Sequence, residues 1–169
     1  MFSTFARAMF ENLMANPPRT EDLWYLPWDR LLSELLPKAQ NYDVGSGRRF
    51  RGEDGVVIPD FYANIHNFVT PAMPWISRTV LIVEIKKSSF RSGYDALAEQ
   101  VRRQVCAAFH DGSAQSKVYW IEAVGPRWRY GECDDQLDHL PLSGCWHESA
   151  HDLESYLAFQ TLAQLISQL

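Results

Sequence analysis

The stretch TVLIVEIKKSS, Thr79 to Ser89, decides the fold. Val80, Leu81, Ile82, Val83 and Ile85 make a short apolar run of the kind found in strands covered on both faces. Glu84 and Lys86 interrupt that run. Leaving either charge buried without its partner costs on the order of 3–5 kcal/mol, so the sequence must supply compensation. Residues two apart in a strand project to the same face, which sets Glu84 and Lys86 side by side and lets them partly neutralise each other.

Further compensation comes from outside the strand. The segment VVIPDFYANI, Val56 to Ile65, has the β-branched and aromatic content of a preceding strand, and it carries Asp60 directly after Pro59. Where the two strands run together, Asp60 comes alongside Glu84. Two neighbouring carboxylates repel unless a cation separates them, and hard divalent ions such as Mg²⁺ or Mn²⁺ take oxygen ligands of this type. A metal there would polarise a phosphate and acidify a water, with Lys86 placed to orient the water or to stabilise charge on a phosphoryl oxygen. The simpler alternative makes Asp60 a turn residue and Glu84–Lys86 an exposed ion pair worth at most ~1 kcal/mol.

The rest of the chain frames this pair. WDRLLSELLPKA, from Trp28, spaces Leu31, Leu32, Leu35 and Leu36 as on an amphipathic helix that Pro37 ends, preceded by a connector through Pro17, Pro18 and Pro27. NYDVGSGRRFRGEDG, Asn41 to Gly55, predicts a strand edge and an exposed turn, and NFVTPAMPWIS predicts a loop before Thr79. Tyr94 to His110 places Leu97, Ala98, Val101, Val105, Ala108 and Phe109 on one helical face, with Gly112 where a C′ glycine belongs. KVYWIEAVG and RWRYGE predict two strands split by Gly125-Pro126. A last helix is expected from about Ser149 to Leu169, with Ser149 and Asp152 at capping-box spacing. The N-terminal MFSTFARAMFENLM predicts a surface helix covering part of the core, since its single arginine and early Glu11 suit a transit peptide poorly. The order is helix, strands, helix, strands, helix, which predicts a mixed α/β domain with one central sheet.

The pattern IPD, 23 intervening residues, then EIK resembles the PD-(D/E)XK nuclease superfamily. The resemblance spans roughly residues 28–130 and implies a restriction-endonuclease-like αβββαβ core, with 1–27 as an N-terminal extension and 131–169 as a C-terminal loop and helix. It implies a nuclease using Mg²⁺ or Mn²⁺, with Asp60 and Glu84 as metal ligands and Lys86 as the catalytic lysine. Gln100 is similar to a glutamine that some branches carry on the following helix. Glu34 is the nearest candidate for a glutamate that others place on the first helix, although it points away from its own leucine stripe. A domain of this kind that binds nucleic acid or protein without cutting is the alternative.

With 169 residues the chain has the length of one domain, and 46% hydrophobic with 13% aromatic residues are globular values. The net charge of −5 argues against holding nucleic acid through a large basic surface, but leaves room for a local groove lined by Arg48, Arg49, Arg51, Arg91, Arg102 and Arg103. Trp128 and Tyr130 are candidates for stacking bases, although aromatics on a strand more often belong to the core or the sheet surface, and Gln100 and Gln104 are equally readable as surface amides. Cys106, Cys133 and Cys145 form no CxxC pair, which favours a reducing, intracellular setting, cytoplasmic or nuclear. No apolar run approaches the ~20 residues of a membrane span. The terminal helix, through Leu153, Tyr156, Leu157, Leu165 and Ile166, offers a face that packs on its own domain or on a second copy in a homodimer. HESAH, His147 to His151, matches the H-E-x-x-H zinc-peptidase motif, but a helix starting at Ser149 would separate the two histidines and no third ligand follows at the usual distance.

Overall fold

The structure, a computed structural model, describes residues 2–53, 55–67, 76–90, 93–136, 139–142 and 145–169. Helices α1 (Thr4–Ala15) and α2 (Asp22–Leu35) open the chain, followed by strands β1 (Tyr42–Ser46), β2 (Phe50–Gly52), β3 (Gly55–Val57), β4 (Phe61–Asn67) and β5 (Ile76–Lys86). Helix α3 (Tyr94–His110) then leads to β6 (Ala114–Val124), β7 (Arg127–Asp134), β8 (His139–Pro141) and helix α4 (Leu153–Ile166). Among the described residues, six strands form one mixed sheet in the order β1-β4-β5-β6-β7-β8, and β2 and β3 form a separate two-stranded hairpin. Every pair in the sheet is antiparallel except β5–β6, which α3 joins as a crossover between parallel strands.

Alternation along β5 and β6 sends successive side chains to opposite faces. Leu81, Val83, Ile85, Tyr119, Ile121 and Ala123 join the core under α1, α2 and α4, whereas Ile82, Val118, Trp120 and Val124 join the core under α3 and the hairpin. Glu84, Lys86 and Glu122 share the parity of the second group. The doubly covered strand read from TVLIVEIKKSS is therefore present, and its charged residues face α3.

Three boundaries differ from the sequence reading. First, α2 begins at Asp22 and runs through Pro27, because Trp24, Trp28, Leu31, Leu32 and Leu35 form a continuous buried stripe that outweighs the proline's lost hydrogen bond. Second, VVIPDFYANI is two strands: Pro59 has no N–H to continue a ladder, so β3 stops at Val57 and β4 starts at Phe61, leaving Asp60 in the bend between them. Third, α4 starts at Leu153, capped by Asp152, whose carboxylate accepts from the Ser155 N–H at 2.7 Å; Ser149 does not cap it. At the other end of α3, Gly112 takes a φ of +71° directly after the C-cap Asp111, as the sequence reading expects of a C′ glycine. The expected loop before Thr79 lies mostly at 68–75, outside the described residues, as does Arg91. Among the described residues no helix is long and apolar enough to cross a membrane.

Candidate functional site

The register Phe61↔Val83 sets Asp60, one residue earlier, opposite Glu84. Asp60 Oδ2 accepts from the Ile85 N–H at 2.7 Å, and its Oδ1 accepts from the Tyr25 hydroxyl at 2.6 Å. Glu84, only 2% exposed, is surrounded by donors: Lys86 Nζ and Gln100 Nε2 each lie 2.5 Å from Oε1, and Gln104 Nε2 lies 2.7 Å from Oε2. Asp60, Glu84, Lys86 and Gln100 thus converge from a bend, a strand and a helix. The exposed-pair alternative does not hold, since the Lys86 side chain is only 14% exposed.

Three members of this cluster, Gln104, Glu21 and Tyr25, escape the sequence reading. Gln104 is buried and shares the task of Gln100, one helical turn away on α3. The i, i+4 amides facing a strand acid were the signal, and reading them as surface residues missed it. Glu21, at the N-cap of α2, lies 4.0 Å from Lys86 Nζ. A helix expected only from Trp28 leaves Glu21 outside it and makes Glu34 the nearest acid, whereas α2 begins at Asp22. Glu34 instead accepts from Ser3 Oγ at 2.5 Å and the Ser3 N–H at 3.0 Å, and pairs with Arg30 at 3.0 Å. It anchors the start of α1 and takes no part in the cluster.

Electrostatics follow the geometry. Burial, then the charge of Glu84, pushes Asp60 up to about 6, against the opposing pull of the Tyr25 and Ile85 hydrogen bonds and of Lys86. Burial alone would lower Lys86, but its hydrogen bond to Glu84 and the charges of Glu84, Asp60 and Glu21 hold its ammonium above the ordinary lysine value. Burial and the Asp60 carboxylate raise the Tyr25 hydroxyl.

These shifts make stability pH-dependent. Because folded Asp60 holds its proton more tightly than the unfolded chain does, its contribution favours the fold at acid pH and is lost as pH rises from about 4 to about 6. The loss is on the order of 2–3 kcal/mol. Urea unfolding of wild type and Asp60→Asn across this range, with chelator present, should show wild type losing stability relative to the variant by that amount. A difference that stays flat with pH would contradict the assignment.

Among the described residues, no group of three or more His, Cys, Asp or Glu side chains is gathered at metal-ligand spacing. The oxygen donors fit a hard divalent ion nonetheless: two carboxylates face each other, burial and then the charge of Glu84 push Asp60 toward protonation, and Gln104 Oε1 is buried without a donor. An open cavity of about 570 Å³, lined by Asp22, Tyr25, Asp29, Ile58, Pro59 and Asp60 among others, gives access to Asp60.

The remaining candidates fall elsewhere. Arg48 lies over the Phe50 and Tyr62 rings and donates to Asn64 Oδ1, so it braces β4. Arg102 pairs with Glu99 at 2.8 Å. Arg49, Arg51 and Arg103 are exposed, and Arg102 and Arg103 line a second cavity of about 540 Å³ between α3 and the hairpin. Trp128 is fully buried and Tyr130 nearly so, which removes both as base-stacking surfaces. His147 bridges to Trp128 and His151 sits in the turn before α4, so HESAH is not helical and the zinc-peptidase geometry is absent. Of the proposed dimer face, Ile166 belongs to the core, whereas Leu153 and Leu157 are exposed.

Comparison with known proteins finds no match to this chain among family models, curated proteins or solved structures. Any functional reading therefore rests on the cluster itself.

Proposed function

We propose that this chain is a metal-dependent phosphodiesterase acting on nucleic acid, built on a restriction-endonuclease-like core. The observation that carries the reading is the meeting of Asp60, Glu84 and Lys86, from two separate motifs, in one largely buried cluster of which Asp60 lines an open cavity. The order helix α2, antiparallel strands β1, β4 and β5, helix α3, parallel strand β6 supports it, being the αβββαβ order that the PD-(D/E)XK resemblance implies.

Asp60 and Glu84 would hold Mg²⁺ or Mn²⁺, with Glu21 the nearest further acid. When bound, the ion supplies Lewis acidity to a phosphoryl oxygen and lowers the pKa of water. Lys86, kept protonated by its acidic neighbours, offers positive charge where the phosphoryl oxygens gain negative charge. Gln100 and Gln104 fix the Glu84 carboxylate, so that no reorganisation is needed as charge develops.

A second reading is a domain of the same fold that binds without cutting. It is favoured by the five protein donors that already occupy the four carboxylate oxygens of Asp60 and Glu84. Calorimetric titration of Mn²⁺ decides between them: the wild-type chain should bind, and Asp60→Asn and Glu84→Gln, shown folded by circular dichroism, should not. Mn²⁺-dependent cleavage of single- and double-stranded DNA and RNA should follow the same pattern. A wild-type chain that neither binds the ion nor cuts in its presence leaves the non-catalytic domain.

A further inference from the structure

The α3 face of the sheet carries a second polar cluster beyond the carboxylates. Register pairs Glu84 with Glu122 and Glu122 with Arg129, and it pairs Lys86 with Val124 and Val124 with Arg127. At ~4.8 Å per strand, Arg127 and Arg129 therefore start about 10 Å from Lys86 and Glu84 on the same face. Arg129 donates to Glu122 at 2.6 Å, which aims its guanidinium over the Trp146 ring at 5.1 Å. Arg127 donates to the Tyr94 hydroxyl at 2.6 Å and lies 5.8 Å from the Tyr94 ring centre and 5.9 Å from that of Trp146. The two rings are 4.7 Å apart.

Unlike Trp128, these rings reach the surface: Tyr94 is 41% exposed, and Trp146, packed against the core under α3, is partly exposed. A surface that pairs exposed aromatic faces with guanidinium groups suits stacked bases joined by phosphates. The counter-ion of Arg127 is easily exchanged, because the Glu148 side chain is 74% exposed and holds Arg127 only at the surface. Arg129 differs: its partner Glu122 is fully buried, so Arg129 is fixed in place and orients the platform.

We infer that Tyr94, Trp146, Arg127 and Arg129 form a platform for a single-stranded nucleic-acid segment flanking the phosphodiester at Lys86, with a base on the aromatic rings and a phosphate at Arg127. The inference rests on the hydrolase reading above. It selects single strands because a base must leave its duplex stack to meet a ring.

The test is fluorescence anisotropy with end-labelled oligothymidylate, oligouridylate and a DNA duplex of equal length, in chelator so that nothing is cut. Single strands should bind more tightly than duplex, and the relative affinity of the DNA and RNA strands identifies which the platform prefers. Tyr94→Ala should weaken single-strand binding about tenfold with little change in its salt dependence, and Tyr94→Phe should restore it. Arg127→Gln should reduce the salt slope by about one. Wild-type preference for duplex, no single-strand binding, or unchanged binding by Tyr94→Ala would each overturn the platform. Mn²⁺-dependent cleavage run in parallel separates the two readings. Cutting with Tyr94-independent binding removes the platform alone, and Tyr94-dependent binding without any cutting removes hydrolysis alone.

Discussion

Lys86→Met is expected to slow phosphodiester cleavage about 10²–10³-fold while Mn²⁺ binding stays within a few-fold of wild type, the scale seen when one preorganised charge-stabilising donor is removed. The two effects separate because Lys86 and a metal do different things to Glu84. The ammonium contacts Glu84 Oε1 at 2.5 Å and sits 4.0 Å from Glu21, so in the metal-free protein it neutralises the acids. An ion held by Asp60 and Glu84 would supply that neutralisation, but it would not replace the proton-bearing cation that Lys86 would offer to a phosphate. Without metal the variant should be less stable, because a buried carboxylate deprived of its partner costs on the order of 3–5 kcal/mol. Unfolding should therefore be followed with and without Mn²⁺, and Lys86→Arg, which keeps the charge, should recover stability more fully than rate. Cleavage by Lys86→Met at the wild-type rate would show that the lysine only balances charge.

The second large effect is structural. Trp128→Ala should destabilise the fold by about 3–5 kcal/mol, the usual cost of truncating a fully buried tryptophan. The indole lies parallel to the Phe159 ring at 3.6 Å, stacks near His147 at 4.7 Å and Tyr130 at 5.5 Å, and donates from Nε1 to Ser155 Oγ at 2.9 Å. It is the contact through which α4 grips β7. Removing it opens a cavity and strands the Ser155 hydroxyl, which is fully buried. Against a typical total of about 5–15 kcal/mol, that loss should be plain in a urea titration. A loss below ~1 kcal/mol would mean that α4 contributes little to the fold.

Much of this was legible in the residues. Thr79 to Lys86 announced a doubly covered strand with two charges out of pattern, and the helix from Tyr94 to His110 was written in its apolar spacing and its closing glycine. From those two elements follow Glu84, Lys86 and Gln100. What the sequence concealed was decided by tertiary burial. Pro27 signalled a helix boundary, yet the stripe from Trp24 to Leu35 carries α2 across it, and that shift brings Glu21 and Tyr25 to the site in place of Glu34. Gln104 carries no local mark of burial, because an amide on a helix is ordinary at a surface and only the carboxylate beneath it makes it internal. Trp128 and Tyr130 alternate with arginines as a surface strand would. Only the arrival of α4 shows which face of β7 is inside.

The separations within the site have a consequence for how the protein comes into being. The hydrogen bonds that organise the carboxylates join residues 16, 20, 25 and 35 positions apart, and the parallel partner of β5 arrives only after the whole of α3. Closing loops of that size is entropically costly until later contacts stabilise them, and parallel pairing is slow for the same reason. The residues of the cluster all precede β6, yet β5 has a neighbour on both edges only once β6 is in place, so the native burial of Glu84 is expected to be completed late in folding rather than in the first contacts made.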